Sequence, residues 1–406
     1  MEKVGKIFKE HTMQIILFLV VIFFAITTKG QILSAMNFEA LITQNAYVFI
    51  LATGMFMCML IKGNIDLSVG ATVCLIDAIG AYMMINMGIS VPVAMIAMVI
   101  FGCIIGAVLG WLIAYLNIPP WIATLGGFLA FRGLGTKIVA TASSTSSISV
   151  NDMKGFTNLF ISHVPREFCI PIGIVCCVLF VILQVRARAT KIKKGYEAES
   201  LADLVVRCVI ICLIVMLFAI KYAGGIIDIK SLSNKKGIIA ILLGKQTSLG
   251  LPAVLIWVAV VLLVYNFITG KTVLGRYFYA MGGNMEATRL SGIDTKLVLF
   301  FAYLNMQFLS VIAGWASLAK LSTANAFMGQ NYELDAISAC IVGGVSAYGG
   351  SGSVFGMVVG AALIGVINLG MSIMSIDPNW QKVIKGVVLL AAVVFEIVNN
   401  RPKTKA

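Results

Sequence analysis

Charged side chains fall in short clusters along this chain, and long uncharged apolar stretches separate them. The longest, Ala78 to Phe131, runs for 54 residues. As one helix it would extend about 80 Å, far more than a hydrocarbon core of about 30 Å, so it must turn back on itself. Cutting the apolar stretches at charges, prolines and glycine turns predicts a series of helical segments: Thr12–Thr28, Asn45–Ile61, Leu67–Asn86, Pro92–Leu116, Trp121–Ala140, Phe168–Val185, Leu204–Ile220, Leu251–Thr269, Leu297–Leu318, Ala336–Tyr348, Val354–Met374 and Val383–Val398. Ala336–Tyr348 is too short to cross comfortably. It is expected to be a broken or re-entrant helix, which a bilayer tolerates only where protein or a cavity surrounds it.

Composition then sets the class. Hydrophobic residues make up 60% of the 406 and charged residues 12%, with a mean hydropathy of +1.00, whereas soluble domains carry about 25% charged residues. The expected fold is all-α, a polytopic membrane bundle of about 10–12 transmembrane helices in one transmembrane domain over residues 1–406, with no separate aqueous domain. Its net charge of +13 is scattered over loops and tails, so nucleic acid is not an expected partner and membrane lipid is. The basic residues read instead as topology signals. An even number of crossings puts both termini, "RARATKIKK" (Arg186 to Lys194) and the loop from Lys271 to Lys296 on one side, which a narrow majority of the 30 lysines and arginines makes cytoplasmic. The lysines of Lys221 to Gly250 run against that rule. Lys3, Lys6 and Lys9 precede the first segment without a convincing cleavage site after it, so it is expected to stay in the chain. All nine cysteines lie in apolar runs, none in a Cys-x-x-Cys pair, and each is expected to act as a small buried hydrophobe. His11 and His163 stand far apart, so neither a metal centre nor a histidine-based catalytic cluster is expected.

Candidate chemistry is sparse. "GKT" at Gly270 to Thr272 resembles the end of a phosphate-binding loop, but that loop needs glycine where this chain has Tyr265. The Gly-rich stretch Gly343 to Gly356 has no lysine and reads as a helix break. Gly102, Gly106 and Gly110, and likewise Gly356 and Gly360, recur every fourth residue, a spacing that lets helix backbones approach closely in lipid. Asp66 and Asp77 are carboxylates among apolar residues, where a charge costs about 3 kcal/mol or more. For Asp66, in "GNIDLSVGA", two readings stand: Asn64 or Asp66 caps the following helix, or Asp66 and Ser68 line a path. A second stretch, "NYELDAISACIVGG" (Asn331 to Gly344), also sets an asparagine and acids before a small-residue helix. The pair fits half-helices of an internal repeat, and equally a chance likeness. Asn45, Asn305, Gln307 and Asn368 are neutral hydrogen-bonding groups in oily segments, suited to joining helices or to meeting an uncharged polyhydroxylated cargo.

One stretch looks soluble. "GRYFYAMGGNMEATRLSGIDTK", Gly275 to Lys296, holds five charged residues, while the 25 residues before Lys271 and the 23 after Lys296 hold none. Its helix-capable core "NMEATRLS" is bounded by Gly282, Gly283 and Gly292. It must stand in water between two buried segments.

"GNIDLSVGA", "TLGGFLAFRGLG", "GRYFYAMGGNMEATRLSGID", "ELDAISACIVGGVSAYGGSGSVFG" and "WQKVIKGVVLLAAVVFE" closely resemble, in order and over nearly the whole chain, the permease subunits of ATP-binding cassette monosaccharide importers. The resemblance implies a sugar permease that is not an enzyme and binds no cofactor itself, ATP and Mg being held by a partner ATPase. It also implies an extracytoplasmic sugar-binding protein, a second permease copy in a homodimer, and a pathway for which Asn45, Asn64, Asp66, Ser68, Asn305, Gln307 and Asn368 are the candidates. Within the soluble-looking stretch, Gly275, Arg276, Gly282, Gly283, Asn284, Glu286, Ala287, Arg289 and Gly292 match the loop that docks on the ATPase. An additional span pair, about residues 168–220, is similar to the xylose or multiple-sugar subgroup. Related permeases carry nucleosides or branched-chain amino acids, and an ion-coupled transporter using Asp66 or Asp77 is the rival class.

Overall fold

The computed structural model describes residues 12–193, 201–223 and 250–399. Lys3, Lys6, Lys9, His11, Lys194, nearly all of the Lys221 to Gly250 loop and the basic tail lie outside the described residues. The described chain forms fifteen α-helices. They are α1 (Thr12–Thr27), α2 (Ala35–Leu60), α3 (Val69–Ile85), α4 (Val91–Ala114), α5 (Pro120–Ala142), α6 (Lys154–Ile161), α7 (Arg166–Lys193), α8 (Leu201–Tyr222), α9 (Ala253–Lys271), α10 (Val273–Gly283), α11 (Met285–Leu290), α12 (Thr295–Leu321), α13 (Tyr332–Val342), α14 (Val354–Ile373) and α15 (Pro378–Asn399). Each predicted segment falls on a helix. Among the described residues, seven stretches of helix are long and apolar enough to cross a membrane. Shorter apolar helices cover Met13–Thr27, Val69–Ile85 and Ile211–Ile220. Local chemistry sets several ends: Pro92 and Pro120 occupy the first turns of α4 and α5, where no N–H is needed. The tenth predicted segment stops early, because α13 ends after 11 residues and Gly344 turns the chain with φ +80°.

The chain divides into two compact units. The first holds the described residues of 1–29, 40–161 and 254–406. Its core is α2, whose residues from Val48 to Ile61 are largely inaccessible, packed with α3, α12 and α13. Cys58 donates to the Ala302 carbonyl and Cys340 to that of Ala52, tying α2 to α12 and α13. Gly102, Gly106 and Gly110 of α4 lie against Val311, Leu304 and Phe300 of α12, so the two helices run antiparallel. A Cβ at Gly106 would stand 2.8 Å from Leu304 Cα, so a side chain there would force the backbones apart. Gly356 and Gly360 of α14 lie against Gly343 and Ala339 at the end of α13. Short strands β1 (Ser147–Ser149) and β4 (Thr323–Asn325) pair antiparallel in this unit.

The second unit holds residues 30–39 and the described part of 162–253. Here α7 packs on α8, with Gly173 against Ala219, and β2 (His163–Val164) pairs with β3 (Leu251–Pro252). His163 Nε2 lies 2.7 Å from Glu39 Oε1. The cysteines depart from expectation: Cys58, Cys74, Cys169 and Cys340 are buried, whereas Cys176 is exposed and Cys103, Cys177, Cys208 and Cys212 are half-buried. An apolar run in a membrane chain places residues toward lipid as readily as toward protein, so the run alone does not imply burial.

Candidate transport site and coupling segment

The soluble-looking stretch forms two helices. Thr272 opens α10, its Oγ1 accepting from Gly275 N at 3.3 Å. Phe278 and Met281 are fully buried, while Arg276 is exposed. Asn284 caps α11, accepting from Ala287 N at 3.0 Å, and Asp294 caps α12 through Leu297 N at 3.0 Å. Thr288 anchors α11. Its other face, Glu286, Ala287, Arg289 and Leu290, is exposed, Leu290 at 84%. Glu286 and Arg289 pair at 2.9 Å, and Gly292 turns the chain out of the helix with φ +84°.

The inner end of α10 meets both breaks in the bundle. One break is Ile61 to Ser68, between α2 and α3, and the other is Gly343 to Ser353, between α13 and α14. Gly350 N donates to Leu60 O at 2.9 Å, and Tyr279 of α10 donates to Gly352 O at 2.9 Å. A Cβ at Gly282 would stand 2.6 Å from Gly350 Cα, and one at Gly63 would stand 2.7 Å from the carbonyl carbon of Ala347. Three backbone segments therefore meet without intervening side chains. No side chain cushions α10 against either break.

The first unit also buries the two acids singled out in the sequence. Asp66, wholly buried, accepts from Ser68 N (2.8 Å), Ser68 Oγ (2.6 Å) and Gln307 Nε2 (2.7 Å). Gln307 also donates to Ser68 Oγ at 3.1 Å. Ser68, and neither Asn64 nor Asp66, occupies the N-cap of α3, and its side chain makes no capping bond. Asp66 instead satisfies the Ser68 N–H just before the helix. Asn64, half-buried, is not brought into this cluster. Asn368 of α14 donates to Asn45 of α2 at 3.1 Å, while Asn305 accepts from Tyr265 and donates to Met57 Sδ at 3.4 Å. These neutral groups join helices. Asp77 is also wholly buried, beside Gly314, and neither of its oxygens has a hydrogen-bond partner among the described residues.

With the geometry in hand, comparison with known proteins decides the class. Two overlapping segments, residues 37–203 and 172–393, match the family described as the permease component of the branched-chain amino acid transport system. The chain belongs to this permease family. The xylose transport system permease protein XylH of Haemophilus influenzae is 33% identical over 391 residues, covering 96% of each chain. XylH of Escherichia coli K12 is 32% identical over 388 residues, 94% of this chain and 90% of its own. The galactose/methyl galactoside import permease protein MglC of H. influenzae is 26% identical over 375 residues, 90% of this chain and 87% of its own. No solved structure matches. This permease is thus a multi-pass membrane transport subunit and not an enzyme.

Three groups in the permease escaped the sequence reading. Lys385 of α15 reaches Asp335 of α13 at 2.9 Å, and Tyr47 of α2 donates to the same carboxylate at 2.6 Å. Tyr47 also stacks on Tyr332, with ring centroids 3.6 Å apart. Arg132 of α5 donates to the carbonyls of Met328 and Gly329 just before α13. Lys385 and Arg132 did carry a signal, because a cation in an apolar segment demands a partner. Tyr47 carried none.

Proposed function

We propose that the permease is the membrane subunit of an ATP-binding cassette importer for a monosaccharide, xylose or a similar aldose. The observation that carries this is the full-length likeness to xylose permeases, 33% identical across 96% of both chains. In this reading a separate ATPase holds ATP and Mg, an extracytoplasmic sugar-binding protein delivers the cargo, and two permease copies frame the path across the cell membrane. Both termini and α10–α11 are cytoplasmic. The exposed Glu286, Ala287, Arg289 and Leu290 face of α11 docks on the ATPase, and Gly282 passes the motion to the two breaks. Asn45, Asn64, Asp66, Ser68, Asn305, Gln307 and Asn368 meet the sugar when these helices separate in the other state of the cycle.

Reconstitution with the cognate ATPase and binding protein tests this. Xylose uptake should require ATP and resist proton and sodium ionophores; ATP-independent, ionophore-sensitive uptake would overturn it in favour of ion coupling. A binding protein stabilised by amino acids or nucleosides, and not by aldoses, would overturn the sugar. Glu286→Lys, Arg289→Glu and Gly283→Pro should leave inserted protein with lost ATPase co-purification. Charge reversal costs a few kcal/mol in a desolvated contact but only about 0–1 in an exposed loop. Wild-type co-purification and stimulated ATP hydrolysis in all three would make α11 a plain connector.

A further inference from the structure

Against α10 the first unit holds a half-open pocket of about 260 Å³ between α2, α4, α9, α10 and α12. Its walls are almost entirely hydrocarbon, with Leu274 and Phe278 supplied by α10. The one polar side chain in the wall is Asn305, and it is committed: its oxygen accepts from Tyr265 and its amide donates to Met57 Sδ. A sugar entering here would lose hydrogen bonds to water and gain none, so the cavity is not a cargo site. Its edges open on the surface of the unit. Phe301 lines it and is 43% exposed, Cys103 lines it and is half-buried, and Val264, one turn before the lining Ile268, is 45% exposed. Fluid hydrocarbon is what meets such an opening. One turn beyond Ile268, at the end of α9, stands Lys271, exposed and in no ion pair with a described residue.

We infer that this cavity is a specific phospholipid site: it takes one acyl chain of an anionic glycerophospholipid, whose phosphate-bearing headgroup rests on Lys271. The chain fills the space between α10 and the bundle, so it seats the helix that meets both breaks. Apolar burial holds the chain, and the lysine supplies headgroup preference.

Native mass spectrometry of the full-length permease released from nanodiscs, loaded with phosphatidylglycerol or phosphatidylcholine, tests the assignment without involving transport, so its failure is separable from that of the importer reading. One phosphatidylglycerol per chain should survive release, with a preference of about fivefold over phosphatidylcholine, the worth of a single surface lysine. Cys103→Phe on α4 and Ile268→Phe on α9 should each abolish retention by filling the cavity. Lys271→Gln should erase the preference while leaving a chain bound. Val108→Phe, on the lipid face of α4 but outside the cavity, should change nothing. Undiminished retention in whichever filling variant remains folded overturns the proposal. So does equal retention of both lipids by the unaltered chain.

Discussion

Two helix entries of the first unit are alike in sequence, Asn64 to Ser68 ahead of α3 and Asn331 to Asp335 at the start of α13, each an asparagine and an acid leading into a small-residue helix, yet their acids are answered differently. Asp66 is held by neutral donors, two from Ser68 in its own turn and one from Gln307 of α12. Asp335 is held by a cation from another helix, Lys385 of α15, and by the Tyr47 hydroxyl of α2. The first arrangement is mostly local and moves as a piece with the start of α3. The second ties three helices together, so α13 cannot shift without breaking a charge-assisted contact or carrying α2 and α15 with it. A buried acid answered by neutral groups and one answered by a cation from another helix differ in how costly it is to disturb them.

Lys385→Met should produce the largest effect. It leaves Asp335, almost wholly buried, without its cation, a loss of about 3 kcal/mol or more that thermal unfolding in detergent would register. The double variant Lys385→Met/Asp335→Leu should recover most of it, because removing both charges removes the desolvation cost as well. No fall in the single variant would mean that the contact does not tie α13. Gln307→Leu should cost less, about 1 kcal/mol, since Asp66 keeps both Ser68 donors. The Gln307 Oε1 has no partner among the described residues, so leucine also removes an unmet acceptor. A loss greater than that of Lys385→Met would reverse the comparison. Tyr47→Phe should be the mildest, under about 1 kcal/mol, because the ring can still stack on Tyr332 and Lys385 still answers Asp335. A larger fall, measured the same way, would place the tie chiefly in the hydroxyl.

What could be read from residues alone was whatever depends on one segment and its solvent. Long uncharged runs located the helices, and charge density set Gly275 to Lys296 apart from them, since transfer of apolar and charged groups is a property of each segment by itself. The shortness of Ala336 to Tyr348 foretold a break. Partnership was not legible in this way. Asn45 with Asn368, Gln307 with Asp66 and Lys385 with Asp335 are separated by up to hundreds of residues along the chain, and any of many polar groups in other helices would satisfy the same need. Only the packing that brings α14 to α2, α12 to the turn before α3, and α15 to α13 decided which groups met. The reason is physical: burial demands that a polar group be paired, but the choice of partner belongs to packing, which sums contacts from the whole bundle.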